Sequence, residues 1–473
     1  MILLLSFIGC ATTPVVEIES PVESMIALSP IPSTGELPVW EPPAPEVFEL
    51  SNGSAVWLIE DHRLPMLSFR MLLDGGAIHD PVGQEGLSHM TATMMGESAG
   101  ERSSIEMSEA ASEMAVSLGA GTVTNTSLSF SMSCDPATLD RALELMSDMV
   151  MRPQFTQEDW GRVHNQQYLG ALSDRENGAS LSVEVGQSLW VEEGNPWGRS
   201  ISGTPSSLDN MTLAQVVNNY QRMISPHFAG YVVVGDTTRE EITVALEQAF
   251  EGWDGPGELP EVPARTLSEP RMVFVDDPGS SQTSIFVLGE GPSIQNIERY
   301  AADMTGVVMG GSFTSRLNSL MREEKGYTYG ARASFSVNPG GGVFSAHSLV
   351  RGDATVEALN DLMGLLEGAA LGFSPEERGK ARAQVLAGAV DSAESRSGLA
   401  SRFARRMKNG MNPGTWGREL ELTMSVNAEE MQVIADRYFQ PSGLLFSLAG
   451  DLATIGPMLD EAGFDYTVVA PAP

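Results

Sequence analysis

The chain has 473 residues, 42% of them hydrophobic and 19% charged, which describes a folded protein too long for one core and suited to two or more domains. A formal net charge of −34 argues against nucleic acid or an anionic membrane surface as partner and, if anything, favours basic ligands. Two cysteines, Cys10 and Cys134, exclude a disulfide framework and a cysteine-rich zinc site.

At the N-terminus, Ile2 to Ile8 is an apolar run too short to span a bilayer, ending in Phe7-Ile8-Gly9-Cys10. That ending resembles a bacterial lipobox, in which a small residue precedes a cysteine that is cleaved and lipidated. It departs from the pattern at Phe7, where Leu is usual, and in lacking a basic leader. The alternative is an ordinary free cysteine. Residues 11–45 then carry Pro14, Pro21, Pro30, Pro32, Pro38, Pro42, Pro43 and Pro45 with no helical period, as an extended tether does. The resemblance implies acyl chains on Cys10 and a periplasm-facing body. Because Ala11 rather than Asp follows the cysteine, it implies the outer membrane, met only through the lipid anchor.

The first half of the body, residues 46–252, mixes strands and helices. Ala55–Glu60 and Met66–Leu73 read as strands. Gly86 to Met95 reads as a helix. Ser103 with Glu106 makes a capping box that predicts a helix to about Leu118. Thr126 to Ser133 alternates as a strand, leaving Cys134 as a packing residue at its end. Asp135 caps, and Pro136 begins, a helix to about Met151. Thr156–Val191 is helical, with a break at Asn177-Gly178. Gly230–Val234 is a buried strand before a helix over Arg239–Phe250.

Residues 253–270, rich in Pro and Gly, read as a linker to a second half, 271–467, that repeats the plan of the first. Phe155-Thr-Gln-Glu158 answers to Phe373-Ser-Pro-Glu376, Asn195-Pro196 to Asn412-Pro413, and Tyr231-Val-Val-Val-Gly235-Asp236 to Phe446-Ser-Leu-Ala-Gly450-Asp451. The offsets are 218, 217 and 215 residues, a drift that loop changes account for. Strands followed by long helices predict an α/β (α+β) chain of two homologous two-layer domains, each a mainly antiparallel mixed sheet packed with helices, with binding expected between them. Gly340-Gly341-Gly342 reads as a hairpin turn rather than a phosphate loop.

The most informative stretch of the second half is Gly310-Gly311-Ser312-Phe313-Thr314-Ser315-Arg316-Leu317, running to Met321-Arg322-Glu323-Glu324-Lys325-Gly326-Tyr327-Thr328-Tyr329. It reads as a glycine-opened helix closed by Gly326, then a strand, so that Arg322 on the last turn and Tyr329 at the strand head can face one site. A solvated surface helix is the plain alternative. The segment resembles the substrate-binding element of the insulinase/pitrilysin family of zinc metallopeptidases, whose Arg and Tyr face a zinc site from the second half of the molecule. The resemblance covers roughly residues 45–467 and implies a chain that forms half of a clamshell.

In active members the first half carries H-x-x-E-H on a helix, with two His and a later Glu as zinc ligands and the first Glu as general base. Here His89 falls at the first His, Ala92 at the base and Thr93 at the second His, while Gln166 to Leu172, where the third ligand is expected, holds no carboxylate. One imidazole cannot hold zinc, and without the base hydrolysis lacks its proton acceptor. His164 is the one histidine whose helix brings it toward His89. The chain is therefore expected to bind no metal and to have no catalytic residue of its own. The resemblance then implies a partner: an insulinase-like subunit that carries the zinc, with Arg322 and Tyr329 gripping a peptide or unfolded segment. The alternatives are a peptide-binding scaffold without a reaction and a stand-alone hydrolase with a relocated site.

Overall fold

Two six-stranded sheets, one from each half, carry the architecture in the computed structural model, which describes residues 40–338 and 340–471. Cys10 and tether residues 11–39 lie outside the described residues. The first half supplies β1 (Glu46–Glu49), β2 (Ala55–Glu60), β3 (Leu67–Asp74), β4 (Ser117–Val123), β5 (Ser127–Cys134) and β6 (Ala229–Gly235). The second supplies β7 (Met272–Asp276), β8 (Gln282–Gly291), β9 (Thr328–Asn338), β10 (Gly341–Arg351), β11 (Leu445–Gly450) and β12 (Thr467–Val469). The sheet orders are β1-β2-β6-β3-β5-β4 and β12-β7-β11-β8-β10-β9. Slot for slot, β2, β6, β3, β5 and β4 match β7, β11, β8, β10 and β9. Pairing is antiparallel except for β2 with β6, and β7 with β11 and β12. The strands β6 and β11, whose sequences answer to each other, occupy the same slot in the two sheets, so the α/β (α+β) duplication read from the sequence is realised in the topology.

Strand chemistry explains the layers. In β5 every second residue is apolar, and Leu128, Phe130, Met132 and Cys134 turn into the first core. The helices Leu139–Met151 and Arg239–Ala249 cover that face. Burial pushes the Cys134 thiol up to about 12, which suits a packing residue rather than a nucleophile. β6 is buried along its whole length because both its faces are covered. In one respect the chain departs from expectation: the helix that opens with the Ser103/Glu106 capping box ends at Glu113, not near Leu118. Ala115 adopts a left-handed φ of 54°, and Leu118 leaves the helix to pair with Met132 in the sheet.

The inner faces are covered reciprocally. The helix Gly178–Trp190 of the first half lies on β7, β8 and β11, and the helix Arg396–Lys408 of the second half lies on β3 and β6. Leu181 and Val185 pack on Val273, Val275 and Ala449, and Trp190 packs on Phe286 and Leu445. Each such side chain contributes about 1.5–3 kcal/mol when removed from water. Close approach needs glycine twice: a Cβ on Gly186 would lie 2.9 Å from the Phe286 ring, and one on Gly230 would lie 2.5 Å from the Met407 sulfur. Polar ties cross the seam, among them Arg396 Nη2 to the Asp61 carbonyl at 3.0 Å and Lys408 Nζ to Thr124 Oγ1 at 2.9 Å.

Candidate functional site

The helix Leu87–Met95 begins at Gly86, whose φ of 87° sets the left-handed turn that starts it. Asp80 anchors that first turn, its Oδ1 accepting from the Ser88 amide at 3.0 Å and the Ser88 hydroxyl at 2.6 Å. Its Oδ2 is buried without a partner, and burial raises the carboxyl to about 7. His89 projects from the same turn, half-buried, and burial lowers its pKa while the neighbouring Gln167 opposes that shift. His89 Nδ1 and Gln167 Oε1 are each buried without a hydrogen-bond partner. Gln167 is thus the member of the Gln166–Leu172 window that faces His89. Its Nε2 donates to the Ser202 carbonyl at 2.7 Å.

The remaining ligand positions are closed. Thr93 Oγ1 donates to the His89 carbonyl at 2.9 Å, a bond within its own helix. Ala92 is 0% exposed, and strand β4 presses on it through Gly121, where φ is 55° and a Cβ would lie 2.6 Å from the Ala92 Cβ. His164 does not join His89: its Nε2 meets the Leu208 carbonyl at 2.8 Å and its ring packs at a tilt against Trp160, centroids 4.6 Å apart. Among the described residues no three His, Cys, Asp or Glu side chains are placed to hold a metal ion. One imidazole, a methyl, a hydroxyl tied to its helix and a carboxamide do not fit zinc.

In the second half, Gly310 and Gly311 end the helix Arg299–Met309 instead of opening the next one. The Gly310 amide bonds the Gly306 carbonyl at 2.9 Å, and a Cβ there would overlap the Ala333 backbone of β9. A turn leads into Arg316–Asn318 and then a π-helical turn, Ser319–Glu324, that carries Arg322. Such wide turns are rare and occur frequently at functional sites. Gly326, at a φ of 65°, closes it as the sequence predicts, and Tyr329 stands near the head of β9, 91% exposed. Arg322 and Tyr329 line one cavity of about 430 Å3.

Two residues not singled out from sequence position this pair. Phe313 lies under the Arg322 guanidinium at 4.5 Å. Buried Asn318 staples the turn to the sheet, donating to the Phe313 carbonyl at 2.7 Å and accepting from the Ala331 amide at 3.1 Å. Arg332 of β9 adds a second guanidinium to the cavity wall. Strand alternation about the buried Ala331 and Ala333 exposes that position, so a signal for it was present. The cavity offers a phenol and two guanidinium groups, donors suited to peptide carbonyls or a carboxylate.

Two like α/β halves, an emptied ligand helix in one and an Arg/Tyr cavity in the other, describe a protein of metallopeptidase architecture. The insulinase (peptidase family M16) model matches residues 55–177, and the peptidase M16 inactive domain matches residues 210–385. The chain belongs to the insulinase family. It is 21% identical to an uncharacterized zinc protease of Rickettsia bellii over 87% of this chain and 97% of that one. It is 22% identical to another of Mycobacterium tuberculosis over 74% of this chain and 80% of that one. Among solved structures it resembles a peptidase M16 inactive domain from Pseudomonas fluorescens (TM-score 0.80, 18% identity, 86% of this chain and 97% of that one). A protease from Helicobacter pylori is similar at a TM-score of 0.77 and 16% identity, over 86% of this chain and 100% of that one.

Proposed function

We propose that this chain is the non-catalytic, peptide-binding subunit of a heteromeric zinc metallopeptidase. Its partner is an insulinase-family chain with an intact H-x-x-E-H helix, which supplies the zinc and the general base. The observation that carries this reading is the contrast between the halves. The Arg322/Tyr329 cavity is built and braced by Asn318 and Phe313, while the equivalent investment at His89 is missing. Across a shared chamber, Arg322 and Tyr329 would donate hydrogen bonds to the peptide carbonyl as it becomes an oxyanion at the partner's metal. β9 is an edge strand, so a peptide backbone can add alongside it independently of side-chain sequence. Lipidation of Cys10 would hold the pair on the periplasmic side of the outer membrane.

The same edge and cavity favour a second reading, a peptide-binding module with no reaction attached. Co-expression with a zinc-bearing relative separates the two. Cleavage of an unfolded protein that needs both chains supports the pair. Failure of the two chains to co-purify, with no gain in cleavage on mixing, supports the module.

A further inference from the structure

The helical segment 316–324 that carries Arg322 has a cavity on each side. Asn318 and Arg322, one turn apart, line the cavity that Tyr329 also lines. Arg316, Leu320 and Glu324, at the same spacing, line a second cavity of about 420 Å3. Ser312, on the turn that leads into the segment, lines both. The partition between them is therefore a single helix, about 10 Å across. Residues of the helices Arg299–Met309, Thr355–Gly368 and Pro375–Glu394 complete the second cavity.

Ser315 lines this second cavity and is 2% exposed, and its Oγ has no hydrogen-bond partner among the described residues. Its backbone has the conformation of a helix cap, with φ −68° and ψ 158°, yet the side chain makes no cap bond. Thr156 and Ser374, at the same position on other helices, each accept from an amide. A buried hydroxyl left unpaired costs stability, and nearly all are paired in folded proteins. The side of Ser315 that no protein group satisfies is the side on the cavity.

The rest of the lining says what would satisfy it. Arg316 and Lys380 are the two cations, Glu324 and Glu377 the two carboxylates, so the charges balance. Arg316 grips Glu377 at 2.6 and 3.0 Å and holds its carboxyl down to about 2, while Lys380 meets Glu376 at 2.9 Å. Gln384 donates its Nε2 to the Gly311 carbonyl at 2.8 Å, which leaves Oε1 as an acceptor. Val307, Val308, Leu320, Leu365 and Ala381 supply apolar surface. A hydroxyl, a carboxamide oxygen and aliphatic walls, with both cations already engaged, suit an uncharged molecule with an aliphatic body and an amide head.

We propose that this second cavity is an effector site for a small uncharged amide, whose carbonyl accepts from Ser315 and whose body steadies the Arg322 segment from behind. The inference goes beyond the peptide-binding reading and needs neither a peptide nor a partner chain. What the occupant bears on is the π-helical turn Ser319–Glu324, since Ser319, Leu320 and Glu324 line the cavity and Arg322 lies on the same turn.

The test uses the full chain with N-isobutylacetamide as the probe. Saturation-transfer NMR is expected to show saturable binding with a Kd of about 1 mM, ordinary for a molecule this small. Ser315→Ala should weaken it by about threefold to tenfold, the scale of one hydrogen bond. Because that hydroxyl has no partner in the chain, its loss should leave the melting temperature unchanged. Ser319→Phe, which fills the cavity from a half-buried position, is the second variant and should abolish saturable binding. With the probe at about ten times its Kd, hydrogen exchange across 316–330 should slow by about threefold to tenfold, with no change in the helix Leu139–Met151 of the other half. Arg322→Ala should keep probe binding within about twofold of the parent, whatever it does to peptide, so this site and the peptide-binding reading fail separately. No saturable signal up to about 20 mM, undiminished binding in both cavity variants, or unaltered exchange across 316–330 overturns the proposal.

Discussion

Returning the general base to its helix, by Ala92→Glu, tests whether the ligand site has been closed by packing as well as emptied of donors. Ala92 is wholly buried, with the Gly121 backbone against it and Ala120 packed on Gly96 one turn away. A glutamate adds one methylene carbon and a carboxyl to a Cβ that the Gly121 backbone already crowds. Overpacking of this kind costs about 1–3 kcal/mol. Burying the carboxyl beside a neutral imidazole with no cation adds about 1–3 kcal/mol, even if it takes up a proton. The total, about 2–6 kcal/mol, corresponds to a fall in Tm of roughly 5–20 °C for halves of this size. Thermal melts of Ala92→Glu against the parent measure it. Thr93→His, at a half-buried position, is the control and loses only the bond to the His89 carbonyl. If Ala92→Glu melts within about 0.5 kcal/mol of the parent, as a surface change does, the helix has room for its base and the reasoning from Gly121 is wrong.

Three further outcomes are expected. Gly310→Ala forces a Cβ into the Ala333 backbone and should cost about 1–3 kcal/mol by thermal melt and loosen peptide binding at the Arg322 cavity; an unchanged melt contradicts that contact. Asp80 has its carboxyl raised from 3.8 to about 7, so the folded state holds a proton that the unfolded chain has released. Stability should therefore fall by up to about 1.4 kcal/mol per pH unit between the two values, and Asp80→Asn should flatten that slope; parallel pH profiles for parent and variant would exclude it. Arg406 is 5% exposed and binds Glu419 at 2.7 and 3.0 Å together with the Asn412 carbonyl at 2.6 Å. Arg406→Ala should lower the urea midpoint by the equivalent of about 3–5 kcal/mol, toward the lower end because Arg299 also meets Glu419 at 3.3 Å; a loss under about 1 kcal/mol would show the pair is not needed.

Elements whose causes are local were legible in the sequence. Alternation in β5, the capping box at Ser103 and Glu106, the Asn177 cap that splits two helices and the left-handed Gly326 all stand where the residues place them. The duplication was legible too, since β6 and β11 fill matching slots. What escaped depends on distant partners. Leu118 leaves its helix because a strand partner, Met132, is waiting. Gly310 and Gly311 looked like a helix start, and only the crossing of β9 shows why small residues end the previous helix there. The helix Arg396–Lys408 lies on the opposite half's sheet with Arg406 buried, a placement no local pattern announces. Gln167 as the neighbour of His89 exists only once two helices far apart in the sequence, 87–95 and 157–175, have packed together.

The central claim is that Arg322 grips a peptide which another chain cleaves. Its most direct test is peptide cleavage by this chain reconstituted with a zinc-bearing relative, parent against Arg322→Ala. Loss of one oxyanion donor predicts a fall in kcat of about 10²–10³ with the pair still assembled. An assembled pair that cleaves at the parental rate without the Arg322 guanidinium contradicts the account.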